Sequence, residues 1–179
     1  LNLLSPLVRR LRLRTPPNHD SKKRVKRPAR YIKRIVVELF PRTGSLMNDP
    51  KYQQDGCVVV PMPHGAGITT PKGFMLAKRS IRAPNTLLWA AMLEAGGSPL
   101  QDKTHKTPGV DARLRAHRRK FWAVWKAFQL LATECIENGG PVAIQWPKNC
   151  SYWNNAPVRN FLKQHSMNSV AFDGCAVGV

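Results

Sequence analysis

From residue 34 onward the chain alternates short, unbroken apolar runs with longer stretches of helical periodicity. Residues 35–40 (Ile-Val-Val-Glu-Leu-Phe), 57–60 (Cys-Val-Val-Val) and 86–93 (Thr-Leu-Leu-Trp-Ala-Ala-Met-Leu) are apolar or β-branched at almost every consecutive position. A strand with one wet face alternates apolar and polar residues, whereas a strand covered on both faces does not. These runs therefore predict buried strands of a parallel sheet. Residues 142–146 and 169–172 extend the set. Between the runs, residues 74–81 and 156–165 are expected to form short helices and residues 110–138 a long one. In the long helix Leu114, Phe121, Trp125, Phe128, Ala132 and Cys135 recur at steps of three, four and seven, and Gly139-Gly140 supplies a stop. Arg113, Arg115, Arg118, Arg119 and Lys126 occupy its other side. Strand alternating with helix predicts an α/β fold, a doubly wound and mostly parallel sheet with right-handed crossovers.

Charge changes the picture at the front of the chain. The formal net charge of the 179 residues is +19, and residues 1–34 hold twelve Lys or Arg against the single acid Asp20. With Pro6, Pro16, Pro17 and Pro28 among those charges, residues 1–33 cannot bury enough apolar surface to order themselves, and are read as a disordered basic arm preceding a domain at 34–179. Such an excess attracts polyanions through counterion release, so the expected partner is nucleic acid, DNA more than RNA, with an anionic membrane next and a merely solubilising tail as the plain alternative. Lys22, Lys23, Arg24, Lys26 and Arg27 suit contact with phosphates or a nuclear address. The Leu/Arg alternation over residues 1–14 equally has the make-up of an organellar presequence or a basic amphipathic helix. Lacking an initial methionine and stopping just after an apolar segment, the chain reads as a fragment or processed product.

The remaining chemistry is sparse. Cys57, Cys135, Cys150 and Cys175 form no Cys-x-x-Cys pair, which argues against a zinc site or a disulfide framework and predicts reduced thiols in a reducing compartment, nuclear or cytoplasmic, with an organellar one as the alternative. No apolar run approaches the roughly 18 residues of a membrane span. His64, His105, His117 and His165 are scattered, without an acid at catalytic spacing. Trp122, Trp125, Trp146 and Trp153 could stack on bases, but helical spacing assigns Trp125 to a core and leaves Trp153 open.

In open α/β sheets ligands sit just beyond the carboxyl ends of strands, which directs attention to three segments. These are Glu38-Leu-Phe-Pro-Arg-Thr-Gly44-Ser-Leu46, Leu93-Glu94-Ala-Gly96-Gly97-Ser98-Pro99, and Ile144-Gln145-Trp146-Pro147. The first resembles the cofactor motif of S-adenosylmethionine-dependent methyltransferases, especially the cytosine C5 DNA group. The second resembles the Pro-Cys loop of that group, and still more that of its mobile-element relatives, where Pro-Cys precedes Thr-Gly-Gly-Ser-Pro-Trp-Gln. The third is similar to the relatives' Glu-Trp-Pro. Arg113, His117 and Phe121, and the end segment 172–178, also fit the way those relatives are written. The resemblance spans about residues 34–179 and implies a Rossmann-like domain with S-adenosylmethionine as cofactor. Glu38, Phe40 and Gly44 would contact the cofactor, Glu94 and Ser98 would line the reaction site, and Gln145 would hold the target base. Arg113, Arg118 and Arg119 would join the arm in binding nucleic acid.

The pattern is kept but its catalytic letters are changed. Arg42 stands where an earlier glycine is expected, and Val60 leads into Pro61-Met62 where an acid would bind the cofactor ribose. Leu93-Glu94 replaces Pro-Cys, and a carboxylate is a far poorer nucleophile toward the ring than a thiolate. Gln145 replaces the glutamate, so a base edge can be held by hydrogen bonds but not protonated. The expectation is a methyltransferase-like, nucleic-acid-associated protein whose catalysis is degenerate. The rival is a non-enzymatic basic nucleic-acid-binding protein of a mobile element or ribonucleoprotein.

Overall fold

The computed structural model describes residues 34–41, 57–62, 67–99 and 109–171. The basic arm, with Lys22, Lys23, Arg24, Lys26 and Arg27, lies outside the described residues, as do Arg42, Gly44, His64, His105 and the segment 172–179. Four strands are described: β1 (Arg34–Leu39), β2 (Cys57–Pro61), β3 (Thr86–Ala91) and β4 (Val142–Gln145). They pair in the order β2-β1-β3-β4, and every pairing is parallel. Three helices accompany them: α1 (Pro71–Ile81), α2 (Val110–Glu137) and α3 (Ala156–Gln164), with a 3-10 turn at Ser151–Asn154. The architecture is α/β with a parallel sheet.

The apolar runs entered the sheet, but only β1 is buried at consecutive positions: β3 alternates buried and half-buried residues, and β2, at the edge of the described sheet, buries none of Cys57–Pro61, with Val58 40% exposed. Central β1 is buried from Val36 through Leu39, and Val37, Leu39, Leu88, Ala90 and Met92 share one core with Phe121, Trp125 and Phe128 of α2. From β2 to β3 the chain crosses β1 by way of α1, and from β3 to β4 it steps onward by way of α2. Two crossovers of one hand running in the same direction place their helices on the same face, and α1 and α2 do pack against each other.

Helix ends follow local chemistry. Thr70 Oγ1 accepts a hydrogen bond from Gly73 N at 3.1 Å, and Pro71 occupies the first turn, where its missing N–H costs nothing. This cap starts α1 three residues before the expected Phe74, because a Thr-Pro pair reads as loop until the cap is recognised. At the other end of α2, Gly139 adopts φ 79° and donates to Ile136 O at 2.8 Å while Gly140 donates to Cys135 O at 2.8 Å. That is a Schellman stop, and the left-handed residue in it favours glycine.

One expected element is overturned. Residues 169–171 form no strand: they are irregular and exposed, with Val170 at 82%, and Phe172 lies outside the described residues. β composition is only a local preference, and a strand exists by pairing; after α3 the chain turns at Ser166 (φ 50°) and Ser169–Ala171 stay on the surface without a ladder.

Glu134 of α2 ties the two crossover helices together, accepting from Arg82 Nε at 2.7 Å and lying 3.0 Å from Lys78 Nζ. The Arg82 hydrogen bond foremost, with Lys78 assisting against some desolvation, holds its carboxyl below the ordinary 4.5. A depressed carboxyl stabilises the fold above its unfolded pKa and loses that contribution as pH falls through the folded one. Urea midpoints measured from neutral to acid pH are expected to fall below pH 4.5, and Glu134→Gln to flatten that part of the decline. An identical pH profile in the variant would remove Glu134 from the account.

Candidate functional site

The chain steps from β1 outward to β2 in one direction, and from β3 outward to β4 in the other, so the order reverses between β1 and β3. At such a reversal adjoining loops diverge and leave a crevice beyond the carboxyl ends. Register brings the three relevant ends level: Leu39 pairs Ala90, Ala90 pairs Ile144, and Ala91 pairs Gln145. Strands that sequence analysis singled out separately are therefore immediate neighbours.

The loop after β3 is clamped on two sides. Met92 N donates to Gln145 O at 3.2 Å, extending the ladder, and Trp146 Nε1 donates to Leu93 O at 3.4 Å. Gly97 N closes a turn on Glu94 O at 2.7 Å. Ser151 N donates to Gly97 O at 2.9 Å, and from α2 Arg118 Nε donates to Gly96 O at 3.4 Å. Gly96 and Gly97 are both buried, and a Cβ on Gly97 would stand 2.8 Å from Cys150 Sγ and 2.9 Å from the Tyr152 ring. The glycine pair is thus a packing device that lets backbone lie flat on Cys150 and Tyr152. Beneath it Phe121 stacks on Tyr152 with ring centroids 3.6 Å apart and 8° between planes.

The clamped loop and the segment after β4 enclose a cleft of about 140 Å³ lined by Glu94, Ser98, Pro99, Pro147 and Cys150. Glu94 and Ser98, four residues apart across the turn, both line it. Gln145 ends β4 with an exposed side chain and does not line the cleft, being the last strand residue before Trp146 turns inward. Glu38 is 2% exposed inside β1, level with Trp89 and Pro61. Phe40, half-buried at the mouth of β1, takes φ 60°, a left-handed backbone that a bulky side chain adopts only when its surroundings compel it. Arg113, Arg118 and Arg119 are all exposed on α2, and Arg118 in addition donates to the Gly96 carbonyl.

Cys150 is expected from the sequence only as a reduced thiol, because nothing in its neighbourhood marks it as more. The fold puts it in the cleft beside Glu94. Burial foremost pushes its thiol up, Glu94 adds to that rise, and a hydrogen bond with the Tyr152 backbone only partly offsets it. A thiol so placed stays protonated at neutral pH and is a weak nucleophile. Burial likewise pushes the Tyr152 phenol up to about 12. The cleft thus holds one carboxylate, one hydroxyl and one protonated thiol.

Among the described residues no group of three or more His, Cys, Asp or Glu could hold a metal ion, and no helix is long and apolar enough to cross a membrane. His165 lies 3.4 Å from Thr133 Oγ1 with its ring on Phe161, an ordinary packed position. Trp125 is 1% exposed and belongs to the core. Trp153, left open by the sequence, packs edge-on against Trp146 at 4.7 Å and donates to Pro147 O at 3.1 Å. Compared with family models, curated proteins and solved structures, the chain matches none of them.

Proposed function

We propose that this protein is a nucleic-acid-associated domain of doubly wound, Rossmann-like, methyltransferase-like build whose covalent methyl-transfer chemistry has been lost. The observation that carries the reading is the adjacency of the ends of β1, β3 and β4, with strand order reversing between β1 and β3 and with Glu94 and Ser98 in a cleft beside it, between the segments that follow β3 and β4. In the cytosine C5 group a thiolate at the position of Glu94 makes the ring nucleophilic. A carboxylate cannot take over that step, and the thiol within reach, Cys150, is held protonated by burial. Gln145, exposed at the end of β4, keeps the capacity to donate and accept one hydrogen bond at a base edge while lacking a proton to deliver. S-adenosylmethionine is the cofactor such a crevice would take, with Glu38, Phe40 and Gly44 as its contacts. The +19 charge supports nucleic acid as the partner, DNA ahead of RNA.

The expected outcome is salt-dependent nucleic-acid binding without transfer of label from S-adenosylmethionine to DNA. Transfer above the protein-free blank overturns the claim of lost chemistry. The rival, a binding protein with no cofactor at all, is separated by calorimetry: no heat at millimolar S-adenosylmethionine favours it. Deleting residues 1–33 should remove most of the affinity and flatten its dependence on salt, and unchanged affinity in the truncated chain counts against the arm as the main contact.

A further inference from the structure

We propose that one strip of α2, Arg115–Arg119–Trp122–Lys126, is a docking surface for single-stranded nucleic acid, its cations meeting phosphates and Trp122 meeting an unpaired base. The proposal rests on the nucleic-acid association just argued and names the form of the partner. Between residues 112 and 133 the helix carries six Lys or Arg (113, 115, 118, 119, 120 and 126) and no acid. A helix face kept merely soluble mixes signs in i,i+4 pairs, whereas here the one such pair among the described residues is Arg115 with Asp111 at the start of the helix and the cations beyond it have no acid interleaved.

Packing fixes which way the strip points. Leu114, Phe121, Val124, Trp125, Phe128, Leu131, Ala132 and Cys135 are buried, so the opposite side of α2 is turned outward. Residues 115, 119, 122 and 126 follow at steps of four, three and four, which stacks them along a single line about 16 Å long. Arg115, Arg119 and Lys126 are exposed. Among the described residues Arg119 and Lys126 have no ion pair, and Arg115 is paired only with Asp111 one turn earlier. Arg118 belongs to the Gly96 clamp and stays outside the strip.

Trp122 is what distinguishes the partner. Half-buried, it sits edge-to-face with Phe121 at 4.9 Å, and Phe121 is itself locked on Tyr152. A ring held in place loses little freedom on binding, and base stacking on such a ring between cations is how single strands are gripped without regard to sequence. A duplex keeps its base faces covered and gains nothing from it. An anionic membrane would need the helix's apolar face, which the core already consumes.

Fluorescence anisotropy on the full chain tests this with a labelled oligothymidine and a duplex of equal length. Arg119→Glu/Lys126→Glu is expected to weaken oligothymidine binding about tenfold or more while duplex binding, supplied by the arm, changes by less than about threefold. Trp122→Leu should reproduce the selective loss and abolish quenching of tryptophan emission by oligothymidine. The two exposed charges can be reversed without touching the core, so that variant remains informative even if Trp122→Leu unfolds. Equal losses on both ligands, unchanged oligothymidine binding, or stronger dependence of phosphatidylserine vesicle binding on the same residues would each overturn the strip while leaving nucleic-acid association standing. A wild-type chain that binds neither oligonucleotide would sink the association itself.

Discussion

Phe121→Ala is expected to destabilise the protein by about 3–5 kcal/mol, a large share of the roughly 5–15 kcal/mol that holds a domain together. Phe121 is 1% exposed and stands at the junction of three segments. It stacks on Tyr152 at 3.6 Å, meets Trp122 edge-on at 4.9 Å, and lies 5.9 Å from Trp146 and 6.1 Å from Trp125 between ring centroids. Removing the ring loses its transfer free energy, opens a cavity among groups too large to close over it, and releases the segment after β4 from α2. Urea denaturation monitored by tryptophan emission measures the change. Phe121→Leu, which keeps most of the volume, should cost clearly less, and a loss below about 1 kcal/mol for the alanine variant would show that this junction is not where the fold is fastened.

Gly96→Ala is the second large effect, at about 1–3 kcal/mol, and it acts on the cleft itself. A Cβ there would overlap Tyr152 Oη and stand 3.1 Å from Arg118 Cγ and 3.3 Å from Arg118 N. Tyr152 cannot swing aside, because its ring is stacked on Phe121 and its other edge lies against Gly97. The phenol oxygen is buried without a hydrogen-bond partner among the described residues. Tyr152→Phe alone should therefore be close to neutral or stabilising, since it deletes an unsatisfied group rather than a bond. Combined with Gly96→Ala it should recover part of the loss, a coupling that a double-mutant cycle isolates. Additive effects in that cycle would mean the glycine is needed for something other than room above Tyr152.

The strands and helices were legible because each has a signal carried by its own residues. Ile35, Val36, Val37 and Leu39, interrupted only by Glu38, have the make-up of a strand with no wet face, and Leu114 to Cys135 that of a helix with one buried side. The strand expected at 169–172 failed for the complementary reason: Val170 has strand composition, but pairing is a property of where the neighbouring chain lies. Within the cleft, Glu94 and Ser98 were within reach of sequence because one short turn joins them. Cys150, Tyr152 and the clamp role of Arg118 were not, since they meet Gly96-Gly97 from segments 22 and more than 50 residues away. In sequence that glycine pair reads as a turn, and only the close approach of Tyr152 gives it a second purpose.

By itself, then, the sequence determined what repeats locally: four strands and three helices, the apolar side of α2, the Schellman stop at Gly139-Gly140 and the surplus of positive charge. Tertiary structure decided the strand order, which side of α2 meets solvent, and the company Glu94 keeps. The division follows from range. Periodicity, capping and charge are set by residues within a turn or two of one another, whereas register and clefts arise from loop closures whose entropy many weak contacts must jointly outweigh, and no single stretch of chain records that sum.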